Sequence, residues 1–127
     1  KEAVNNLDYG IKSQNINGVT IISNTLKNVA AKDLKGLADS LKTKVENGVV
    51  ILGTDFENKG SLVVGITKNL ISSYDAVELL QIGVKALGGK GGGGRSDMAQ
   101  GGGPKGQLIK EAVQSIIEVI EKTSKTN

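Results

Sequence analysis

The side chains with most to offer chemically are Lys90, Arg95 and Lys105, and all three lie in one run of glycines. Gly88–Gly106 reads GGKGGGGRSDMAQGGGPKG and holds ten of the eighteen glycines, with the only arginine, methionine and proline of the chain. From Lys85 to Lys110 there are five basic residues (Lys85, Lys90, Arg95, Lys105, Lys110) and one acid, Asp97, a net of +4. The eleven basic and twelve acidic residues elsewhere leave −1, so the chain's +3 comes from this segment. Glycine leaves its backbone amides uncovered, and bare backbone among cations suits a partner rich in phosphate.

The glycines match two G-x-G-x-x-G patterns, Gly89/Gly91/Gly94 and Gly101/Gly103/Gly106, as a glycine tract does by composition alone. The first follows an expected helix rather than a strand, and the second lacks an acidic residue in a following strand, so neither has the context of a dinucleotide site. No Gly-Lys is followed by Ser or Thr, which removes the mononucleotide loop as well. What remains is an anion cradle. Gly101–Gly103 stand just before the expected last helix, where free N–H groups and the positive helix end converge, and Gly91–Gly94 with Arg95 form a second cradle. The alternative is a flexible, solvated linker. Asp97, Met98 and Gln100 are poor linker residues and suit a pinned loop. The contact residues expected on this reading are Lys90, Gly91, Gly92, Gly93, Gly94, Arg95, Gln100, Gly101, Gly102, Gly103 and Lys105, with Asp97 and Met98 shaping the loop.

Composition narrows the chemistry further. Without histidine or cysteine, imidazole acid–base catalysis, thiolate nucleophiles, Ser-His triads and Cys/His zinc sites are all excluded. Asp55 and Glu57 lie in an expected hairpin with no partner carboxylate that the sequence places, so no two-carboxylate hydrolase site, and no catalytic or metal-binding residue, is expected. The absence of disulfides fits a reducing, cytoplasmic setting. Tyr9, Tyr74 and Phe56 are the only aromatics, too few for the stacking by which single strands are usually gripped. No apolar run is long enough to span a membrane. The first residue is Lys1 rather than Met, from which we expect a piece of a longer chain.

These residues must be positioned by a modest set of elements. Residues 1–14 carry Ala3, Val4, Leu7 and Ile11 at helical spacing, broken by Gly10, and read as the end of a helical arm; residues 15–127 read as one globular domain. After a turn at Asn15–Gly18, Val19–Ser23 reads as a strand, and Asn24–Ala31 as a polar connection. Leu34, Leu37, Ala38, Leu41 and Val45 form a helical stripe, with Asp33 either capping the helix or already in its first turn, and Asn47-Gly48 ending it. Val49–Gly53 is apolar on both faces, as in a central strand, and Glu57–Gly60 turns the chain into Ser61–Thr67. This order predicts a parallel pair joined through the helix, with an antiparallel strand added by the hairpin. Ser72–Asp75 opens a helix with the stripe Ala76, Leu79, Leu80, Gly83, Val84 and Leu87, where Gly83 implies close packing. Asp97–Gln100 could form a very short strand between glycine runs. Pro104 suits the first position of a last helix bearing Leu108, Ala112, Val113, Ile116 and Ile120, and Thr123–Asn127 reads as a tail. The fold class is mixed α+β: a small mixed sheet packed against helices, with a glycine-rich loop before the last helix.

The segment GGGGRSDMAQGGG, Gly91–Gly103, resembles the hallmark of the DHH-associated domain found at the C-terminus of alanyl-tRNA synthetases: a glycine run, Arg or Lys, any residue, then Asp-Met-Ala-Gln-Gly-Gly-Gly. The resemblance extends upstream through Asn17-Gly18-Val19, the Leu34/Leu37/Ala38/Leu41 helix and the Val49–Ile66 hairpin. It implies a domain that contacts the elbow of the alanine-specific tRNA and helps couple alanylation to editing, with the rest of the synthetase as partner and with dimerisation through this part in some members. It implies no cofactor in this segment; the parent would use ATP with Mg, and its editing domain can hold Zn. Other parents and roles stay open: a dimerisation module, the substrate-binding half of a DHH-type phosphoesterase, or a free-standing alanyl-tRNA editing protein. The related phosphoesterases carry a histidine after their glycines where this chain has Arg95, so the segment is expected to be catalytically inert.

Overall fold

The uninterrupted apolar run Val49–Leu52 lies in the middle of a sheet with helices on both faces, the environment such a run requires. In the computed structural model, which describes residues 12–16 and 18–125, the elements follow in the order β1 (Lys12–Ile16), β2 (Val19–Lys27), α1 (Ala31–Lys42), β3 (Gly48–Phe56), β4 (Lys59–Ile66), α2 (Ala76–Ala86), β5 (Gly91–Arg95), β6 (Met98–Gly103) and α3 (Ile109–Lys125). The six strands form one mixed sheet ordered β1-β2-β3-β4-β6-β5. Among the described residues only β2 and β3 run parallel, as the helix between them demands, and the other neighbours are antiparallel. Phe56 pairs with Lys59 across a two-residue turn whose residues, Glu57 and Asn58, have φ of 53° and 67°, the left-handed pair that matches hairpin twist.

Alternation along the strands divides the core. Val50, Leu52 and Val63 point to one face and meet Leu34 and Ala38 of α1 together with Ile22, Leu26 and Met98. Val49, Ile51, Leu62, Val64 and Ile66 point to the other, against Leu79, Leu80 and Val84 of α2 and Ala112, Val113, Ile116 and Ile120 of α3. Each such side chain taken out of water contributes on the order of 2 kcal/mol, which outweighs weak local preferences in the short elements. Gly83 lies where α2 touches both the sheet and α3: a Cβ there would come within 2.5 Å of Leu62 Cδ1 and 2.8 Å of Ile116 Cδ1.

The structure revises several expectations. Lys12–Gln14 belong to the edge strand β1, paired with Ile21–Ser23, rather than to a helical arm; residues 1–11 lie outside the described residues. Pairing with a neighbour, not local pattern, makes this polar stretch a strand. The same holds for Asn24–Lys27, which extend β2 beside Leu52–Asp55. Of the two places open to Asp33 the structure takes the second: α1 starts at Ala31, and Asp33 lies in its first turn, where its charge favours the helix dipole. Asp75, as expected of the segment that opens α2, caps it, its carboxylate accepting from the Val77 N–H at 2.9 Å. Helix α3 starts only at Ile109, after a single 3-10 turn at Gly106–Leu108, and runs through Lys125 into the segment read as a tail. The glycine-rich loop is itself a hairpin, β5–β6.

Candidate nucleic-acid interface

The β5–β6 hairpin forms one end of the sheet, with β6 paired to β4 and β5 at the edge. Its glycines are there because neighbouring backbone occupies the space of their side chains. A Cβ on Gly102 would lie 2.2 Å from the Gly60 carbonyl oxygen, and one on Gly92 2.2 Å from that of Gln100. Gly94 has φ +150° as well, a conformation closed to most other residues. Gly93 differs: a Cβ there meets nothing within 4 Å.

The cradle at a helix start is therefore not formed. Gly101–Gly103 pair with Gly60–Leu62 on one side, and Gly101 and Gly102 with Gly91 and Gly92 on the other, while α3 begins six residues beyond Gly103. Nor do the three expected cations converge. Lys90 precedes β5 and Lys105 follows β6, both at the open end of the hairpin; the Lys105 stem lies beside Gly88 and its N–H donates to the Leu87 carbonyl at 3.0 Å. Arg95 sits next to the turn, roughly 17 Å from Lys90 at about 3.4 Å per residue.

The turn, Ser96-Asp97, is held from three sides. The Ser96 carbonyl accepts from the Ala76 N–H at 2.9 Å, and the Asp97 carbonyl from the Ile66 N–H at 2.9 Å and Lys42 Nζ at 3.1 Å. The Asp97 carboxylate meets Lys42 Nζ at 3.4 Å and Arg95 Nε at 3.3 Å. Met98, 4% exposed, is buried in the α1-side core. Gln100 Nε2 donates to the Ala31 carbonyl at 3.1 Å and so ties the hairpin to the start of α1. In the sequence Lys35, Asp39, Lys42 and Glu46 read as a solvated helix face. The partner of Lys42 lies 55 residues away, and no local pattern announces it.

Desolvation pushes the Asp97 carboxyl up, but the charges of Lys42 and Arg95, with the Lys42 hydrogen bond, outweigh it and hold the carboxyl below its ordinary 3.8. A lowered folded pKa adds stability above the unfolded value and loses it as pH falls through the folded value. Asp97→Asn is therefore expected to lower stability at pH 7 and to flatten the loss of stability below about pH 4, read from urea unfolding at a series of pH values.

Two grooves flank these elements. One, about 270 Å³, lies between α1 and the hairpin and is lined by Lys35, Gly93, Gly94, Arg95, Met98, Ala99 and Gln100. The other, about 390 Å³, lies on the opposite face between α3 and β1–β2, where Lys110 and Glu121 contribute opposite charges. Among the described residues no helix is long and apolar enough to cross a membrane.

Comparison with known proteins gives a consistent picture. The alanine–tRNA ligase of Paramagnetospirillum magneticum is 45% identical over 111 residues, covering 87% of this chain and 13% of that protein. That of Granulibacter bethesdensis is 46% identical over 105 residues, covering 83% and 12%. The chain thus spans about an eighth of the length of these relatives. The crystal structure of the C-Ala domain from Aquifex aeolicus alanyl-tRNA synthetase superposes with a TM-score of 0.77 at 29% identity, covering 88% of this chain and 96% of that one. A DHH domain described as a member of the s1p family of ribosomal proteins shares the fold, with a TM-score of 0.60 at 18% identity over 88% of this chain and 28% of that one. The DHHA1 domain model matches residues 18–122, from the β1–β2 turn to the last turns of α3, and the chain accordingly belongs to the DHHA1 domain family.

Proposed function

We propose that this domain is the tRNA-contacting C-terminal module of an alanine–tRNA ligase, engaging the tRNA elbow through its backbone and helping to coordinate alanylation with editing. The observation that carries this reading is the 45% identity to an alanine–tRNA ligase over 111 residues. It is supported by the +4 charge gathered between Lys85 and Lys110. With almost no aromatic residues, contact runs through phosphates and 2′-hydroxyls of a folded RNA rather than through stacked bases. In this reading the segment contributes no catalytic group, and the parent enzyme works in the cytoplasm with ATP and Mg. Its partners are the rest of the synthetase and, in a dimer, a second copy.

The test is the affinity of the 127-residue chain for an alanine-specific tRNA over a range of salt concentrations. We expect binding that weakens steeply with salt, by close to one unit of log–log slope for each neutralised phosphate. A tRNA whose D and T loops no longer meet should bind more weakly. Equal affinity for the two RNAs would remove the elbow, and no binding at low salt would remove the function.

A further inference from the structure

We infer that one phosphate of the bound RNA is seated in the groove between α1 and the β5 edge, held jointly by Lys35 and Arg95. This rests on the RNA-binding reading above and assigns it a place and a new residue.

The hairpin's bare backbone is mostly committed to packing, since the Cβ directions of Gly92, Gly94 and Gly102 are filled by neighbouring main chain. Gly93 is the position where exposed backbone opens into space, and it lines this groove. The charged side chains lining it, Lys35 and Arg95, are both positive; the other lining residues are glycine, methionine, alanine and glutamine. The acid nearest to Arg95, Asp97, is already shared with Lys42. Lys42 itself is committed: it is 17% exposed and donates to both the carbonyl and the carboxylate of Asp97. Arg95 is 76% exposed, with one contact at 3.3 Å, and Lys35 is exposed with no acidic partner among the described residues. Lys35 and the guanidinium nitrogens of Arg95 beyond the Nε that Asp97 holds line one opening without an acid in its lining, and so form a seat for an anion. No aromatic ring lines the groove, so what enters is sugar–phosphate rather than a stacked base. Lys90 and Lys105, at the far end of the hairpin, reach a different phosphate.

The test compares the wild-type chain with Lys35→Ala, Arg95→Ala, their double variant and Lys35→Arg, each titrated with alanine-specific tRNA across salt concentrations. Lys32→Ala, exposed on α1 but outside the groove lining, is the control, and unchanged thermal melts confirm folding. We expect each alanine variant to weaken binding roughly tenfold, as loss of a charged hydrogen bond does. Lys35→Arg should retain affinity and Lys32→Ala should leave it near wild type. Because the two cations serve one phosphate, the double variant should lower the log–log salt slope by about one unit rather than two. A fall of two units would separate the cations and overturn the shared seat. Wild-type affinity in Lys35→Ala would overturn the groove while leaving the RNA-binding function standing. Failure of the wild-type chain itself to bind tRNA would remove that function, and this proposal with it.

Discussion

Replacing Gly102 with valine is expected to cost the domain at least about 3 kcal/mol, and in a protein of ordinary stability to unfold it. Gly102 lies in β6, paired with Ser61 of β4 on one side and Gly91 of β5 on the other. Its missing Cβ would stand 2.2 Å from the Gly60 carbonyl oxygen, which belongs to a backbone locked in the sheet and has no rotamer by which to escape. Either β6 withdraws from β4, exposing Met98 and Ala99, or the strands part altogether. Gly93→Ala is the control, one strand away in the same tract: its Cβ enters open space, and the change should stay within about 0.5 kcal/mol. Urea unfolding of the two variants decides the matter. Equal stabilities would mean that the glycines are kept for the bareness of their backbone and not for packing.

Ile116→Ala should cost about 2–5 kcal/mol, since the side chain is 0% exposed and its loss leaves a cavity under α3. The position is informative because its Cδ1 lies 2.8 Å from where a Cβ on Gly83 would be. In the wild-type chain a methyl group at Gly83 meets that atom and Leu62 Cδ1; with Ile116 truncated, part of the obstacle is gone. Gly83→Ala also removes the backbone freedom of a helical glycine, worth about 1 kcal/mol. The double variant should therefore be more stable than the sum of the two single changes, by a coupling of about 0.5–1 kcal/mol in thermal or urea unfolding. Strict additivity would show that α2 and α3 do not meet at this pair.

The sheet's centre was legible in the sequence because its signals are dense. Val49–Leu52 reads as a covered strand, the helix before it favours a parallel pairing with β2, and Gly83 inside an apolar stripe marks a close contact. The edges were not legible. Lys12–Ile16 and Gly91–Arg95 have no alternation of apolar and polar residues, and both are strands because a neighbour supplies the hydrogen bonds. A glycine tract is the extreme case: without side chains it shows no period, and its structure is decided by what lies against it. The late start of α3 has a similar cause. Pro104 suits a first helical position, but the Lys105 N–H is engaged by the Leu87 carbonyl, which carries the chain past the end of α2 before it can wind. Within the candidate site, the basic and glycine residues were visible as a composition; the division of labour among the lysines was not, since Lys42 meets Asp97 across the fold and Lys35 lines a groove that only the folded hairpin forms.

The strand order carries a consequence for how the molecule assembles. Strands β3 and β4 join through a two-residue turn, whereas β4 and β6 pair Gly65 with Met98 and Gly60 with Gly103, closing loops that contain all of α2. Loop closure costs entropy before it returns any contacts, and the glycines of β5 and β6 have the most backbone freedom to lose. Ordering the glycine hairpin against β4 therefore costs more entropy than closing the two-residue turn between β3 and β4. Strand β5, like β1 at the opposite edge, has a partner on one side only, so its local opening costs less than that of the central strands. The surface we assign to RNA thus includes an edge of the sheet, and a ligand bound there works against fraying as well as against global unfolding.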